Sequence, residues 1–205
     1  MVGDERLIAT LLACKYACTS GIEGDFVECG VWRGGNSIIA ANVFARNDIT
    51  RKVYLFDTFA GMTKPLDVDV KLKEELDTRA KFMASQKIGH NDWCFAPLED
   101  VKKSFQSLGL LETARFVQGD VMETLDNECN LPEKICVLRL DTDWYESTKK
   151  ELDVLWCRLQ PGGILILDDY GHWQGTKKAV DEFFPLADRP FLHYVDDPSR
   201  LIVKR

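Results

Sequence analysis

KICVLRLDTDWYEST, residues 134–148, decides the fold more than any other stretch of this sequence. An apolar run of strand length ends in two acids, Asp141 and Asp143, and a helix-forming segment follows them. A buried strand of a parallel sheet is typically such an unbroken apolar run. The stretch therefore predicts a strand, a short loop and a helix, with two carboxylates at the carboxyl end of the strand.

Four further apolar runs of strand length lie along the chain, separated by segments with helical periodicity. They span residues 25–30, 52–57, 114–119 and 163–168. Strands that alternate with helices predict an α/β fold, in which a mostly parallel sheet carries helices on both faces. The closing stretch FLHYVDDPSRLIVKR, residues 191–205, instead places two β-rich runs around an Asp-Asp-Pro-Ser turn, which predicts an antiparallel hairpin.

Two helices are predicted from periodicity and from their end signals. The first covers residues 4–19, within an N-terminal segment 1–21. The second covers 147–159, with Ser147 or Thr148 near its capping position. It would supply the crossover that two parallel strands require.

Residues 61–96 form a longer connection than two neighbouring strands need. They include a charged amphipathic stretch, predicted as a helix over about 68–86, and a His-Asn-Asp-Trp loop. Long connections at the carboxyl end of a strand often act as lids over a site. A surface helix packed on the sheet is the alternative, and the sequence leaves both interpretations open.

Length and composition predict one domain over residues 1–205, because a chain that is 45% hydrophobic at this length suits one core of ordinary size. The net charge of −7 argues against a dedicated nucleic-acid binder, which needs a basic face to neutralise phosphates. The MVGDER start lacks the features of a secretory signal, and no apolar run approaches the roughly 20 residues that span a bilayer. We therefore expect a cytoplasmic protein without nucleic-acid or membrane partners.

The cysteines form no C-x-x-C pair, and several lie inside apolar runs. Buried structural thiols are expected there, rather than disulfides or zinc ligands. The seven are Cys14, Cys18, Cys29, Cys94, Cys129, Cys136 and Cys157.

Acidic residues lie in or directly after all five predicted parallel strands. They are Glu28, Asp57, Asp120, Asp141, Asp168 and Asp169. One acid at such a position often caps the next helix, but a whole row is not easily explained by capping. Open α/β sheets bind their ligands at the carboxyl ends of the strands, so the row predicts a binding site at that edge.

The turn after the first strand, ECGVWRGGNS (28–37), distinguishes between two classes of cofactor. A dinucleotide site needs G-x-G-x-x-G, but Trp32 holds the position of the second glycine, and Glu28 disfavours phosphate. S-adenosylmethionine, which is cationic and carries no phosphate, fits better, although a purely structural glycine turn is the alternative. Gly35 would help to form the tight turn. The residues of this turn expected to contact the cofactor are Glu28, Gly30, Val31, Trp32, Gly34 and Ser37.

Two acids further along the chain extend the cofactor prediction. Asp57, with Thr58 beside it, is positioned to accept hydrogen bonds from both ribose hydroxyls. Asp120 is positioned to bind the adenine amino group, while Val121 or Met122 packs against the ring. The alternative for Asp120 is an N-cap of a helix over 121–126.

Four motifs together resemble the macrocin-type O-methyltransferases, which methylate sugar hydroxyls of macrolide and aminocoumarin antibiotics. They are GDFVECGVWRGGNS (24–37), YLFDTFAGM (54–62), LRLDTDWYEST (138–148) and PGGILILDDY (161–170). The resemblance implies a Rossmann-like class I methyltransferase fold, with seven strands of which the last is antiparallel. It also implies a small-molecule hydroxyl acceptor, S-adenosylmethionine and a divalent cation, usually Mg²⁺.

The resemblance assigns roles to individual acids. It places the metal on Asp141, Asp168 and Asp169, and three carboxylates suit a hard cation such as Mg²⁺. Asp141 is counted with the cofactor residues and the catalytic residues as well. Asp143 is similar to the family's general base, and His172, which follows the metal pair, is the alternative.

The chain departs from the antibiotic-tailoring pattern in having little sequence before its first strand. A lid is therefore expected either from residues 61–96 or from the neighbouring subunit of a homodimer. Two other functional classes remain open, namely a methyltransferase-fold binding module without catalysis and a nucleotide-binding oxidoreductase of the NAD type. Trp32 and the Asp168-Asp169 pair count against the oxidoreductase.

Overall fold

The strand that contains Cys136 and Arg139 is buried along its whole length, as its sequence predicts. A computed structural model of the protein describes residues 3–47 and 49–205 and places this strand at the centre of a seven-stranded sheet. The strands are β1 (Asp25–Cys29), β2 (Val53–Asp57), β3 (Ala114–Gln118), β4 (Ile135–Leu140), β5 (Leu159–Leu167), β6 (His193–Tyr194) and β7 (Arg200–Val203). The helices are α1 (Asp4–Thr19), α2 (Gly35–Arg46), α3 (Thr78–Ala84), α4 (Leu98–Ser107), α5 (Val121–Thr124), α6 (Tyr145–Leu155) and α7 (Gln174–Phe183).

The strand order is β3-β2-β1-β4-β5-β7-β6. The first five strands pair in parallel, whereas β7 pairs antiparallel to β5 and β6 pairs antiparallel to β7. The predicted mostly parallel sheet with an antiparallel hairpin at its end is thereby confirmed. The strand order reverses at β1: β2 and β3 are added on one side of β1, and β4 and β5 are added on the other. Ligands of open α/β sheets bind at such a switch point, which here lies between β1 and β4.

Two hydrophobic cores fill the faces of the sheet. On one face, Phe44 of α2 and Phe105 of α4 pack with Phe26 of β1. On the other, Leu152 of α6 and Val180 of α7 pack against β4 and β5. Burying each of these large side chains stabilises the fold by about 1.5–3 kcal/mol. Both faces are therefore closed, and ligand access is left to the edge where the parallel strands end.

The helix predicted over 68–86 is wrong in extent, because only α3, seven residues long, is helical there. Asp69 is fully buried, and its carboxylate accepts hydrogen bonds from the backbone N–H groups of Leu66 and Tyr145. Lys71 forms an isolated β-bridge with Trp173. These long-range contacts hold the first half of the segment in turns and irregular backbone and override its helical periodicity.

Two other element boundaries differ from the predictions. Strand β5 begins at Leu159, four residues before the predicted start at 163. The end of the chain pairs with this extension, because the Gly162 N–H donates to the Lys204 carbonyl at 2.7 Å. Helix α6 begins at Tyr145, so Ser147 and Thr148 lie inside its first turn. The Ser147 hydroxyl donates to the Trp144 carbonyl and caps no N–H group.

The expectation of burial holds for only part of the cysteines. Cys14, Cys29 and Cys136 are buried and Cys18 is half-buried, whereas Cys94, Cys129 and Cys157 are exposed. The exposed three lie in connections outside the apolar strands. Within residues 3–47 and 49–205, no helix is long and apolar enough to cross a membrane.

Candidate active site

A cavity of about 540 Å³ opens at the carboxyl edge of the parallel strands. Most of the residues predicted from the sequence line it. These are Glu28, Gly30, Val31, Trp32, Asp57, Thr58, Asp120, Val121, Asp141, Asp143, Asp168, Asp169 and His172. The edge of the sheet thus brings together groups that lie far apart in the sequence.

Gly34 and Ser37, which were also predicted to contact the cofactor, are not among the lining residues of the cavity, and their contact with the cofactor stays a prediction. Gly34 is the left-handed N-cap of α2, with a φ of +79°, and faces the side chain of Val101. Ser37 is buried and donates its hydroxyl to the carboxylate of Glu28. Both residues lie behind the cavity wall and shape the turn in front of them.

Gly30 lets the ends of β1 and β4 approach each other closely. A Cβ atom at this position would lie 2.0 Å from the carbonyl oxygen of Asp141, and the φ of Gly30 is +82°. Any side chain would therefore force the two strand ends apart. The close approach places the glycine turn directly beside the acidic residues that follow β4.

Asp57 orders the glycine turn from the neighbouring strand. Its Oδ2 accepts hydrogen bonds from the backbone N–H groups of Val31 (2.6 Å) and Trp32 (3.0 Å). Its Oδ1 accepts from the N–H of Phe59 at 2.7 Å. Because this carboxylate stays half-buried at the cavity wall, it supports the turn and also faces the space where a ligand would lie.

Asp120 caps α5, because its carboxylate accepts a hydrogen bond from the Met122 N–H at 2.9 Å. The capping alternative is therefore confirmed. Asp120 also lines the cavity together with Gly119 and Val121. A contact with adenine stays a prediction that capping does not exclude, since a carboxylate has several acceptor positions.

Arg139, next to the last residue of β4, is fully buried and forms ion pairs with three acids. Its guanidinium lies 3.0 Å from Glu28, 2.8 Å from Asp141 and 2.6 Å from Asp168. A buried guanidinium is tolerated only with acidic partners, and this one has three. The pairing ties β1, β4 and β5 together directly beneath the cavity.

Arg6 of α1 is a site residue that the sequence did not reveal. Its guanidinium contacts Asp168 from the side opposite Arg139, and its Nε lies 2.9 Å from Asp196 in the closing hairpin. Arg6 looks like one of many polar positions of an amphipathic helix. Both partners lie near the other end of the chain, so no local pattern signals its role.

The ionisation of the acids follows from burial and from these arginines. Burial opposes the ionised form of Asp168, but Arg139 and Arg6 outweigh it, so the pKa of Asp168 lies below its usual value. Burial and the Asp168 charge raise the pKa of Asp141 well above its usual value. Burial and the Asp143 charge do the same to the pKa of Asp169. The cluster holds more carboxylates than the two guanidiniums compensate.

The donor set of this cluster fits a hard divalent cation. Asp141, Asp168 and Asp169 each offer a carboxylate oxygen, and these three oxygens lie within 4.8 Å of one another. Among the described residues, Asp169 Oδ2 is buried without a hydrogen-bond partner. An orphaned carboxylate oxygen inside an excess of negative charge is the environment that Mg²⁺ or Mn²⁺ would stabilise.

Asp143 has a strained backbone that its neighbours hold in place. Its φ is +68°, which is uncommon for a residue other than glycine. The indole N–H of Trp173 donates to its Oδ1, and the hydroxyl of Thr176 donates to its backbone carbonyl. Burial and the Asp141 charge raise the pKa of Asp143 to about 8. Such strain concentrates at functional positions.

His172 lies on the other side of Trp173, with ring centroids 4.9 Å apart. It lines the cavity and is half-buried. Burial and the nearby Lys71 charge lower the pKa of His172, so the ring is neutral at physiological pH. It remains the second candidate for a proton acceptor.

Segment 61–96 forms one wall of the cavity. Trp93 of this segment packs edge-on against Trp144 at 5.6 Å, and the indole N–H of Trp144 donates to the carbonyl of Thr63 at 3.0 Å. Lys81 lies over the Trp93 ring at 3.9 Å. The segment's lining residues are Gly61, Met62, Thr63, Lys71, Lys81, Trp93 and Cys94. Whether it opens and closes as a lid is a separate matter that stays a prediction.

Glu151 of α6 is a buried acid beside the site. Its Oε1 accepts a hydrogen bond from Thr142 at 2.8 Å, and its Oε2 has no partner among the described residues. Burial raises the pKa of Glu151 to about 8, so its carboxyl is protonated in the fold at neutral pH. Unfolding returns it to a pKa near 4.5, and the unfolded chain releases the proton.

Replacing Glu151 by Gln is therefore expected to make folding less dependent on pH. The folded state holds the proton between about pH 4.5 and 8 while the unfolded state does not, so this group's contribution to stability falls as the pH rises. Relative to wild type, Glu151→Gln should gain on the order of 3 kcal/mol between pH 5 and pH 8. Urea denaturation of both proteins at the two pH values measures this gain. If the free energies of unfolding of the two proteins differed by the same amount at pH 5 and at pH 8, Glu151 would be ionised in the fold.

A family model described as Macrocin-O-methyltransferase (TylF) matches residues 1–188. The chain is 36% identical over 178 residues to the 8-demethyl-8-(2,3-dimethoxy-alpha-L-rhamnosyl)-tetracenomycin-C 4'-O-methyltransferase of Streptomyces olivaceus, which covers 83% of this chain and 62% of that protein. It is 33% identical over 187 residues to the mycinamicin III 3''-O-methyltransferase of Micromonospora griseorubida, covering 89% of this chain and 69% of that protein. The chain thus spans 62% and 69% of the length of these two relatives.

The solved structure of the O-methyltransferase NovP is also similar, with a TM-score of 0.84 and 29% identity. The match covers 99% of this chain and 81% of NovP. The calicheamicin methyltransferase CalS11 matches with a TM-score of 0.70 and 20% identity over 96% of this chain and 79% of that chain, which shows a shared fold. Together with the strand order, these likenesses confirm the predicted class I, Rossmann-like methyltransferase fold.

Proposed function

The chain belongs to the macrocin O-methyltransferase family, and from this premise we propose that it transfers a methyl group from S-adenosylmethionine to a hydroxyl of a small molecule. The observation that carries the proposal is that a predicted cofactor site and a predicted metal site line the same cavity at one edge of the sheet. The glycine turn and Asp57 form the predicted cofactor site, and the cluster Asp141, Asp168 and Asp169 forms the predicted metal site. Transfer to an oxygen needs both a methyl donor and a means to activate the hydroxyl.

S-adenosylmethionine supplies the electrophilic methyl group when bound, and the residues around the glycine turn fit it. Gly30 and Val31 bring backbone to the cavity wall without a side chain that blocks it. Asp57 would accept the ribose hydroxyl protons, and Asp120 would accept from the adenine amino group. Glu28 lies deeper, where its ion pair with Arg139 holds the floor of the predicted cofactor site.

A divalent cation, Mg²⁺ in the first instance, supplies Lewis acidity toward an acceptor hydroxyl when bound. Asp141, Asp168 and Asp169 would hold it. Arg139 and Arg6 orient two of these carboxylates, so the set is organised before the cation arrives.

Asp143 is the residue placed to take the proton that the acceptor hydroxyl loses on methylation. Trp173 fixes its carboxylate, and its pKa of about 8 suits a group that accepts and releases a proton near neutral pH. Asp143→Asn should lower kcat by about 100-fold or more while KM for the methyl donor changes little. The matched comparison is His172→Gln, assayed by radiolabelled methyl transfer. If His172→Gln loses the activity and Asp143→Asn keeps it, the two roles must be exchanged.

The acceptor is proposed to be a sugar or another small natural product with neighbouring hydroxyls. The named relatives support this class, since they methylate glycosylated antibiotics. Trp93 and Met62 give the cavity an apolar wall above the acids, against which the face of a sugar ring would pack. The alternatives are a binding module without catalysis and an NAD-type oxidoreductase.

Calorimetric titration distinguishes these functions. Wild-type protein should bind S-adenosylhomocysteine and not NAD, and Asp57→Ala should weaken that binding by about 10- to 100-fold. The physical reason is that Asp57 orders the Val31 and Trp32 amides as well as facing the ligand. Asp153→Ala, a change on the outer face of α6, is the matched control. Binding of NAD alone would overturn the proposal, and binding of S-adenosylhomocysteine without any methyl transfer would favour the binding module.

A further inference from the structure

A second concave surface lies along the exposed face of α1. It is a groove of about 370 Å³ between α1 and the closing hairpin, lined on the helix side by Ile8, Leu12 and Tyr16. These three side chains are 52%, 57% and 43% exposed, although they recur at the four-residue spacing of one helix face. Monomeric proteins rarely leave such a stripe open along a whole helix.

The two walls of this groove are held in a fixed relation. Arg6 projects from α1 and its Nε lies 2.9 Å from Asp196 of the hairpin. Buried Ala9 and Ala13 pack the same helix against the sheet. The groove is therefore a preformed surface.

The charges along this face are arranged so that the face complements itself. Asp4 and Glu5 stand exposed at the amino end of α1, and Lys15 stands exposed near the carboxyl end. None of the three forms an ion pair with another described residue. Suppose that a second α1 packs antiparallel to the first and that the two-fold axis passes through residue 10 of both helices. Ile8 of one copy then faces Leu12 of the other, and Glu5 of one copy faces Lys15 of the other. The antiparallel arrangement also opposes the two helix dipoles favourably.

We propose that the occupant of the α1 groove is a second copy of this chain, bound by a two-fold axis that pairs the two α1 helices. The helix is about 24 Å long, so together with the hairpin wall it buries on the order of 500 Å² per copy. Stable interfaces bury about 800 Å² per partner, so a dimer held by this smaller surface is expected to be a weak one.

Charge reversal tests the pairing, with sedimentation equilibrium of the full chain between about 1 and 200 µM as the measurement. Glu5→Lys and Lys15→Glu should each weaken association at least about tenfold, because the two-fold axis turns each reversal into two like-charge contacts. The double variant, Glu5→Lys with Lys15→Glu, should restore the wild-type dissociation constant. Arg46→Glu at the exposed end of α2 changes the charge equally and should leave association unchanged.

The reversals fall on exposed positions, so circular dichroism should show the same fold in every variant. A wild-type chain that stays monomeric at about 200 µM, the top of that range, would overturn the proposal. A dimer that tolerates both single reversals, or one that the double variant fails to restore, would also overturn it, because another surface would then hold the two copies together. Loss of methyl transfer has no bearing on any of these results.

Discussion

Arg139→Met is expected to lower the free energy of unfolding by about 3–5 kcal/mol, the largest loss of stability that we expect from a single substitution in this protein's site. Methionine fills much of the same volume but leaves Glu28, Asp141 and Asp168 without their shared cation. Buried carboxylates that lose their partner must stay ionised at a high desolvation cost or take up protons. Guanidinium chloride unfolding at pH 7.5 measures the loss.

Two comparisons separate this effect from a general loss of packing. Lys134→Met removes a surface ion pair with Glu23 and should change stability far less. The deficit of Arg139→Met should also shrink as the pH falls, because protonation removes the uncompensated negative charge. A deficit that is the same at pH 5 and pH 7.5 would mean that lost packing, not lost charge, destabilises the variant.

Asp169→Asn is expected to weaken divalent-cation binding by at least about 100-fold, since even partners outside the ligand set change affinity by 10- to 100-fold. The substitution exchanges a charged oxygen donor for a neutral amide at the carboxylate whose Oδ2 has no protein partner. Affinity for S-adenosylhomocysteine should stay unchanged, because Asp57 and the glycine turn bind that ligand in our proposal. Calorimetric titrations with Mg²⁺ and with S-adenosylhomocysteine measure the two affinities. Mn²⁺ binding followed by electron paramagnetic resonance measures the cation affinity independently.

The same variant has a second readout that needs no turnover. In metal-free buffer, Asp169→Asn should unfold at a higher denaturant concentration than wild type. The reason is that the fold must either keep the Asp169 carboxyl ionised beside other buried acids or supply it with a proton, and the amide removes that cost. Asp153→Asn makes the same chemical change on the surface of α6 and serves as the control. Unchanged Mg²⁺ affinity in Asp169→Asn would remove this residue from the proposed ligand set.

The sheet and the acidic row could be predicted because both follow from short patterns. A strand buried on both faces, such as β4, must be apolar along its length, and parallel strands end at one common edge. Acids placed after such strands therefore meet, whatever connects them. Asp141 and Asp168 are adjacent in the fold for this reason alone.

The remaining features depend on contacts that no local pattern encodes. The segment around Asp69 has the periodicity of a helix, yet one buried carboxylate that accepts hydrogen bonds from two backbone amides holds it in a non-helical turn. Arg6 and Asp168 are 162 residues apart in the sequence, and only the folded sheet brings them into contact. Gly34 and Ser37 lie in the predicted turn, but which residues of a turn face the cavity is decided by the direction of the helix that follows.

Gly175 does not line the cavity, but it packs directly against Asp69, which anchors one wall of the cavity. A Cβ on Gly175 would lie 1.9 Å from Asp69 Oδ1, the oxygen that accepts the Tyr145 N–H. Any larger residue there would displace Asp69 and the wall segment that it anchors. Libraries that aim to widen the acceptor range of this scaffold therefore have a reason to vary position 175.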